Sequence, residues 1–273
     1  MSTIKFESEM RSSSPVLEVR DLRKEYGGAL PHLAIDLVSF SVREGTRLSV
    51  VGPSGAGKTT LLKCVSGLQP ATSGSVTFRG NSVITPPDGL SIVFQDYARS
   101  LFPWMSVESN VGLPLRYRAL SRQRRAEIVA DALESVGLSD HARRYPGELS
   151  GGMQQRVAIA RALGYQPRLL LMDEPFASVD AQTRLSLEDL TLRLCKRYDI
   201  TLMLITHDID EAIYMGDQVL VLSASPAVVR ATIDVDLPRE RNQVETKLLR
   251  RFGEIRGEIY GLIHDGGKSR KAE

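Results

Sequence analysis

Four groups of residues in this 273-residue chain have types and spacings suited to phosphate chemistry. The first is GPSGAGKTT, Gly52 to Thr60, which follows the apolar run Arg47 to Val51 and leads into the helical pattern LLKCVSGL. Gly52, Gly55 and Gly57, with Pro53, Ser54 and Ala56 between them, allow successive backbone amides to turn inward around phosphate oxygens. Lys58 supplies a point charge for terminal phosphates, the Thr59 hydroxyl completes a Mg2+ shell, and Thr60 closes the segment. This strand-loop-helix pattern predicts a nucleoside triphosphate site and leaves the reaction open.

The second group is the end of RLLLMDEP, Arg168 to Pro175, a run that suits a central parallel strand. Carboxylates at the C-terminal end of such a strand sit where ligands bind in open α/β sheets. Asp173 is positioned to hold the Mg2+ shell, through water or Thr59, and Glu174 to polarise an attacking water. The third group is Gln95, at the end of SIVFQD, and His207, at the end of TLMLITHD. Each alone reads as a strand-end hydrogen bonder or a structural histidine. Together, Gln95, Asp173, Glu174 and His207 all follow apolar strands able to lie beside the Gly52–Thr60 strand, which predicts a contact with a γ-phosphate.

The fourth group is LSGGMQQR, Leu149 to Arg156. Ser150 fits an N-cap, and Gly151 and Gly152 leave the first amides of the following helix open to an anion that the helix dipole favours. A lone SGG reads equally as a loop ahead of a surface helix. Alongside Gly52–Thr60, the pattern makes sense if a second copy of the chain brings the anion.

The remaining elements must hold these groups in place. Alternation marks strands at Val16 to Leu22, Leu37 to Val42 and Ser73 to Gly80, with Tyr26 in the turn EYGG, which reads equally as surface packing or, beside a nucleotide, as a ring that stacks on the base. Residues 106–143 turn helical, Asp180 opens a helix through Arg197 with N-cap as its ordinary reading, and residues 217–235 form an edge hairpin. Val244 to His264 is a final helix. Phe102, Pro103 and Trp104 fall in a loop, either folded over local core or exposed to a partner. These spacings divide the chain into an N-terminal tail (1–15), a main domain (16–240, with a helical part over about 97–165) and a C-terminal helix and tail (241–273), both tails disordered.

Composition narrows the class. Apolar residues at 42% and charged residues at 25% suit a soluble globular protein, and a net charge of +2 is too small to imply nucleic acid. No run approaches the ~20 apolar residues of a membrane span. Glu7 and Glu9 stand where a secretory signal needs an apolar stretch. Cys64 and Cys195 lack metal-ligand spacing and read as buried, reduced thiols.

In this order, GPSGAGKT, VFQD, LSGGMQQR, LLLMDEP, SVD and ITHD resemble the ATP-binding subunit of an ABC transporter, from Val16 to Ala224. The resemblance implies an α/β P-loop NTPase with a RecA-like core, an antiparallel β subdomain and a helical subdomain. It implies ATP and Mg2+ as cofactors, with Tyr26 stacking on adenine, Gln95 and Asp173 on the magnesium, Glu174 as base, His207 as switch histidine and Asp180 as the D-loop aspartate, where SVD replaces the more usual SALD. It further implies a homodimer in which Lys58 of one copy and Ser150, Gly151 and Gly152 of the other share one ATP. The partners it implies are transmembrane permease subunits, which hold the chain at the cytoplasmic face of the inner membrane, and indirectly a periplasmic substrate-binding protein. FQDYARSLFPWMSV, PFASVDAQTR and THDIDEAIYMGD are similar to importers of the nitrate, taurine and aliphatic sulfonate group. A soluble ABC ATPase of nucleic-acid repair or translation is the competing class; this chain shows neither a long coiled-coil insertion nor a second ATPase unit. A GTPase or metabolite kinase leaves LSGGMQQR unexplained, and the chain lacks an NKxD motif.

Overall fold

The computed structural model describes residues 15–28 and 30–265. The expectations of disorder for the two tails fall almost entirely outside these residues. The chain opens with β1 (Leu17–Tyr26), β2 (His32–Val42) and β3 (Arg47–Val51), followed by α1 (Lys58–Val65). Next come β4 (Ser73–Phe78), β5 (Asn81–Ser82), β6 (Leu90–Val93), α2 (Tyr97–Ser100), α3 (Val107–Gly112) and α4 (Arg122–Ser135). Then α5 (Gly151–Gly164), β7 (Leu169–Asp173), α6 (Ala181–Tyr198), β8 (Thr201–Ile205) and α7 (Ile209–Met215) alternate, before β9 (Gln218–Leu222), β10 (Val229–Asp234), α8 (Glu245–Leu248) and α9 (Arg250–Asp265).

Two sheets result. The smaller is antiparallel in the order β2-β1-β4-β5, and the larger has the order β10-β9-β3-β8-β7-β6 with parallel pairing from β9 to β6. The β9–β10 hairpin lies at the edge, as the alternation predicted. Strand side chains point alternately to opposite faces, so each central strand feeds two cores. Leu169 and Leu171 of β7, with Met203 and Ile205 of β8, pack with Leu17 and Ile35 of the antiparallel sheet and Leu61 and Leu62 of α1. Leu170 and Met172, with Leu202 and Leu204, pack instead against Ile159 of α5, Leu194 of α6, Tyr214 of α7 and Phe252 of α9. The parallel sheet is therefore buried on both faces, which is why its strands read as unbroken apolar runs.

Three expectations are corrected. Tyr26 ends β1 rather than sitting in the turn. The C-terminal helix is interrupted at Leu249, whose extended backbone (φ −63°, ψ 135°) separates α8 from α9. The strands bearing Gln95 and Glu174 do not lie directly beside β3: its neighbours are β8 and β9, β7 stands one strand further out, and β6 is the far edge. Gln95, Glu174 and His207 still meet, because β6, β7 and β8 are consecutive neighbours in the sheet.

Candidate functional site

The loop after β3 wraps its own lysine. Lys58 is buried, and its ammonium donates to the carbonyls of Gly52 at 2.9 Å and Pro53 at 3.1 Å. Burial pulls its pKa below the usual lysine value, and the nearby carboxylates of Glu174 and Asp173 oppose that shift. Gly57 adopts φ +86°, where a Cβ would lie 2.8 Å from the Ala34 carbonyl oxygen, so only glycine fits between the loop and β2. Gly55 adopts φ +74° with open space where a side chain would be, which leaves an unobstructed approach to the exposed turn of the loop.

Across the loop, the Thr59 hydroxyl donates to Asp173 Oδ1 at 3.3 Å. Asp173 is buried, and loss of water raises its carboxyl pKa, partly offset by the bond from Thr59. Glu174 leaves the strand with φ +43°, a left-handed conformation that costs a glutamate of order 1–3 kcal/mol. Its amide still bonds the Ile205 carbonyl of β8 at 2.8 Å. One carboxylate oxygen of Glu174, Oε2, accepts from Gln95 Nε2 at 3.3 Å and lies 3.1 Å from His207 Nδ1. Three of the strand-end residues, Gln95, Glu174 and His207, thus meet at one oxygen, and the fourth, Asp173, is tied to the loop through Thr59.

Tyr26 joins from the antiparallel sheet. Its hydroxyl lies 3.2 Å from the Thr60 hydroxyl and donates to Gln69 at 3.1 Å, and Lys24 Nζ lies 5.3 Å from the centre of its half-buried ring.

Ser150 and Asp180 stand apart from this group: among the described residues, no hydrogen bond or ion pair joins either one to residues 52–60. Ser150 caps α5, accepting from the Met153 amide at 3.4 Å, and is exposed. Asp180 caps α6, accepting from the Thr183 amide at 2.9 Å, and bonds from Thr183 hold its carboxyl below the ordinary range. Gly152 has a purpose beyond opening a path to an anion, because a Cβ there would sit 2.6 Å from Thr183 Cγ2. Sequence reasoning missed Thr183, whose only signal is its place three residues after the Asp180 cap. It also missed the acids behind His207. Glu211 and Glu188 are both buried, Asp208 pairs with Arg184 at 3.3 Å, and Glu211 lies three residues beyond Asp208 on α7.

No group of three or more histidines, cysteines or acids able to hold a metal occurs among the described residues. Oxygen donors from one carboxylate and one hydroxyl suit a cation that keeps several waters and shares phosphate oxygens, as Mg2+ does.

Residues 35–177, over half of the chain, match the family described as ABC transporter. The chain belongs to the ABC transporter family. It carries that family's ATPase cassette, and the match includes the Gly52–Thr60 loop, Gln95, Ser150 and Glu174. An uncharacterized ABC transporter ATP-binding protein of Methanocaldococcus jannaschii is 41% identical over 85% of both chains. The nitrate import ATP-binding protein NrtC of Synechococcus elongatus is 37% identical over 89% of this chain, and the bicarbonate transport ATP-binding protein CmpC of the same species is 35% identical over 93%. This chain spans only 37% and 39% of the length of those two relatives. Among solved structures, an ATP-binding cassette determined as a dimer in a post-hydrolysis state with ADP and Pi superposes with a TM-score of 0.71 at 30% identity, over 80% of this chain and 98% of that one. No helix among the described residues is long and apolar enough to cross a membrane.

Proposed function

We propose that the chain is the ATP-hydrolysing subunit of an importer for a small anion and that it works as a head-to-tail homodimer on a membrane permease. The observation that carries this reading is the shared hold of Gln95 and His207 on one oxygen of Glu174, a residue turned out of its strand one position after the Asp173–Thr59 pair. Glu174 then takes the proton of the attacking water, and Gln95 and His207 orient its carboxylate. Lys58 exchanges its two carbonyl partners for phosphate oxygens, and Tyr26 offers its ring to the base. Thr59 and Asp173, with Gln95 at the rim, would hold Mg2+, which when bound neutralises phosphate charge and draws Asp173 back to its ionised form.

The exposed cap of α5 supports the dimer. Among the described residues no hydrogen bond uses the amides of Ser150, Gly151 and Gly152, and Asp180 lies beside them through Thr183. ATP favours the closed pair and ADP the open one, which is population shift.

The permease contact rests on Phe102 and Trp104. The indole is 73% exposed and meets the Phe102 ring edge-on at 5.3 Å. Buried Asn110 fixes this loop by accepting from the Phe102 amide at 2.8 Å and donating to the Phe102 and Met105 carbonyls at 3.1 and 3.0 Å. An aromatic pair held outward on a rigid loop suits an apolar helix end of a membrane partner. That docking would place the chain at the cytoplasmic face of the inner membrane, with a periplasmic binding protein on the far side.

The nitrate and bicarbonate relatives make a small oxyanion the favoured cargo, with taurine and sulfonates in the same class. The test is uptake of nitrate, bicarbonate and taurine in cells lacking this chain, together with co-purification of the permease. Loss of uptake of one of these anions, and weaker co-purification with Trp104→Ala at unchanged soluble ATPase, is expected. Normal uptake of all three overturns the cargo, and co-purification with nucleic acid instead would favour a repair or translation ATPase.

A further inference from the structure

The turn that carries His207 rests on a small set of charged groups. Behind it lies a cavity of about 10 Å³, walled by Glu174, Arg184, Thr206, His207, Asp208 and Glu211. A space of that size takes about one water, too little to hydrate a carboxylate. A charge that forms there must be answered by the walls themselves.

Asp208 holds the turn together. Its amide donates to Thr206 Oγ1 at 3.0 Å, and its Oδ1 accepts the amides of Asp210 and Glu211 at 2.9 and 3.1 Å. Its other oxygen, Oδ2, accepts from Arg184 Nη1 of α6 at 3.3 Å. His207 is the residue before Asp208, so this pair ties α6 to the turn that sets His207 against Glu174.

Glu211 competes for the same guanidinium. It is only 5% exposed, and among the described residues neither its Oε1 nor the Nε of Arg184 has a hydrogen-bond partner, although both atoms are buried. Burial, then the charges of Glu188 and Asp208, push the Glu211 carboxyl up to about 8, while Arg184 and a bond from Thr206 oppose the shift. The remaining charges around α7 are engaged elsewhere. Glu188 of α6 accepts from Gln243 at 2.9 Å, Asp189 accepts from the Tyr214 hydroxyl at 2.6 Å, and Lys247 of α8 stands over the Tyr214 ring at 5.2 Å. Arg256 of α9 is bound to Asp210, and Arg47 of β3 to Asp217. Arg184 thus shares the cavity with Glu211 and keeps one donor unused.

We propose that Glu211 is a positioning residue for His207 that acts through Arg184: as a neutral acid it leaves Arg184 to Asp208 and the turn stays set, and as a carboxylate it draws Arg184 from Asp208 and slackens the turn. The proposal rests on the reading of Glu174 as base and His207 as the group that orients it. Hydrolysis then has an alkaline limit built into α6 and α7. When Asp208 loses Arg184, His207 loses its place against Glu174 and kcat falls, while the Gly52–Thr60 loop still binds nucleotide as before.

The test is steady-state ATP hydrolysis by the full-length native protein, Glu211→Gln and His207→Ala, from about pH 6 to about 9.5. The native kcat is expected to fall about tenfold through a midpoint near 8, with little change in the KM for ATP. Glu211→Gln, neutral at every pH, should keep the native kcat at neutral pH and lose the fall. His207→Ala should be slow throughout and show no further fall near that midpoint. A fall that survives in Glu211→Gln, or one that appears in KM instead of kcat, overturns the proposal and leaves the reading of His207 standing. A native rate in His207→Ala at every pH overturns that reading, and the proposal with it. The imidazole resonances of His207 in the native protein with ADP need no variant. They should show an inflection near 8 besides the ring's own titration, and its absence overturns the proposal.

Discussion

His207 Nδ1 lies 3.1 Å from Glu174 Oε2, across the gap between the ends of β8 and β7. The two strands are neighbours, Asp173 pairing with Ile205, so the backbone fixes this approach before any ligand arrives. His207 is itself exposed, which makes the contact a positioning one rather than a stabilising one. Replacing His207 with Ala should therefore lower kcat about 10- to 100-fold with little change in the KM for ATP. Steady-state hydrolysis measurements separate the two, and a rise in KM at full kcat would assign His207 to binding.

The separation of Ser150 from the phosphate loop leads to a mixing experiment. Ser150→Arg and Lys58→Ala should each abolish hydrolysis, the first while keeping nucleotide affinity. When the two variants are combined, the mixed dimer holds one intact composite site and activity should return. No recovery on mixing, with both variants folded, would mean that each site is built within one chain.

Gly152→Ala tests the packing of α5 on α6. The new methyl group would meet Thr183 Cγ2 at 2.6 Å, and overpacking of this kind costs about 1–3 kcal/mol. Thermal unfolding should show the loss, and adding Thr183→Ser should restore much of it by removing the opposing methyl.

Glu211 makes stability depend on pH. Burial first, then the charges of Glu188 and Asp208, push its carboxyl up to about 8, while unfolding returns it to the ordinary range near 4.3. Between those values the native state holds the extra proton, so stability falls as pH rises, by at most about 1.4 kcal/mol per pH unit for one proton, and levels off above 8. Glu211→Gln should flatten this slope in chemical denaturation at pH 6 to 9. An unchanged slope would place the titration elsewhere.

Much of this site was legible in the sequence because its parts are contiguous. GPSGAGKTT states its own geometry, and the strands ending in Gln95, Asp173, Glu174 and His207 are apolar runs that only a sheet buried on both faces requires. Less legible were relationships between segments. Nothing in LSGGMQQR announces that Gly152 must accommodate Thr183, because that closeness depends on how α5 crosses α6. The strand order is not legible either: nothing in SIVFQD or RLLLMDEP says that β8 stands between their strands and β3. The buried pair Glu188 and Glu211 looks, in sequence, like ordinary acids on amphipathic helices. The break at Leu249 carries no proline or glycine to mark it.

The most direct measurement is the state of Glu174→Gln with ATP. Neutralising the carboxylate keeps its size and its neighbours but removes the proton acceptor. Light scattering with parallel phosphate release should show an ATP-dependent dimer that hydrolyses at least about 100-fold more slowly than the native protein. A monomer under saturating ATP, or turnover at the native rate, would contradict the assignment of Glu174 as base of a site shared between two copies.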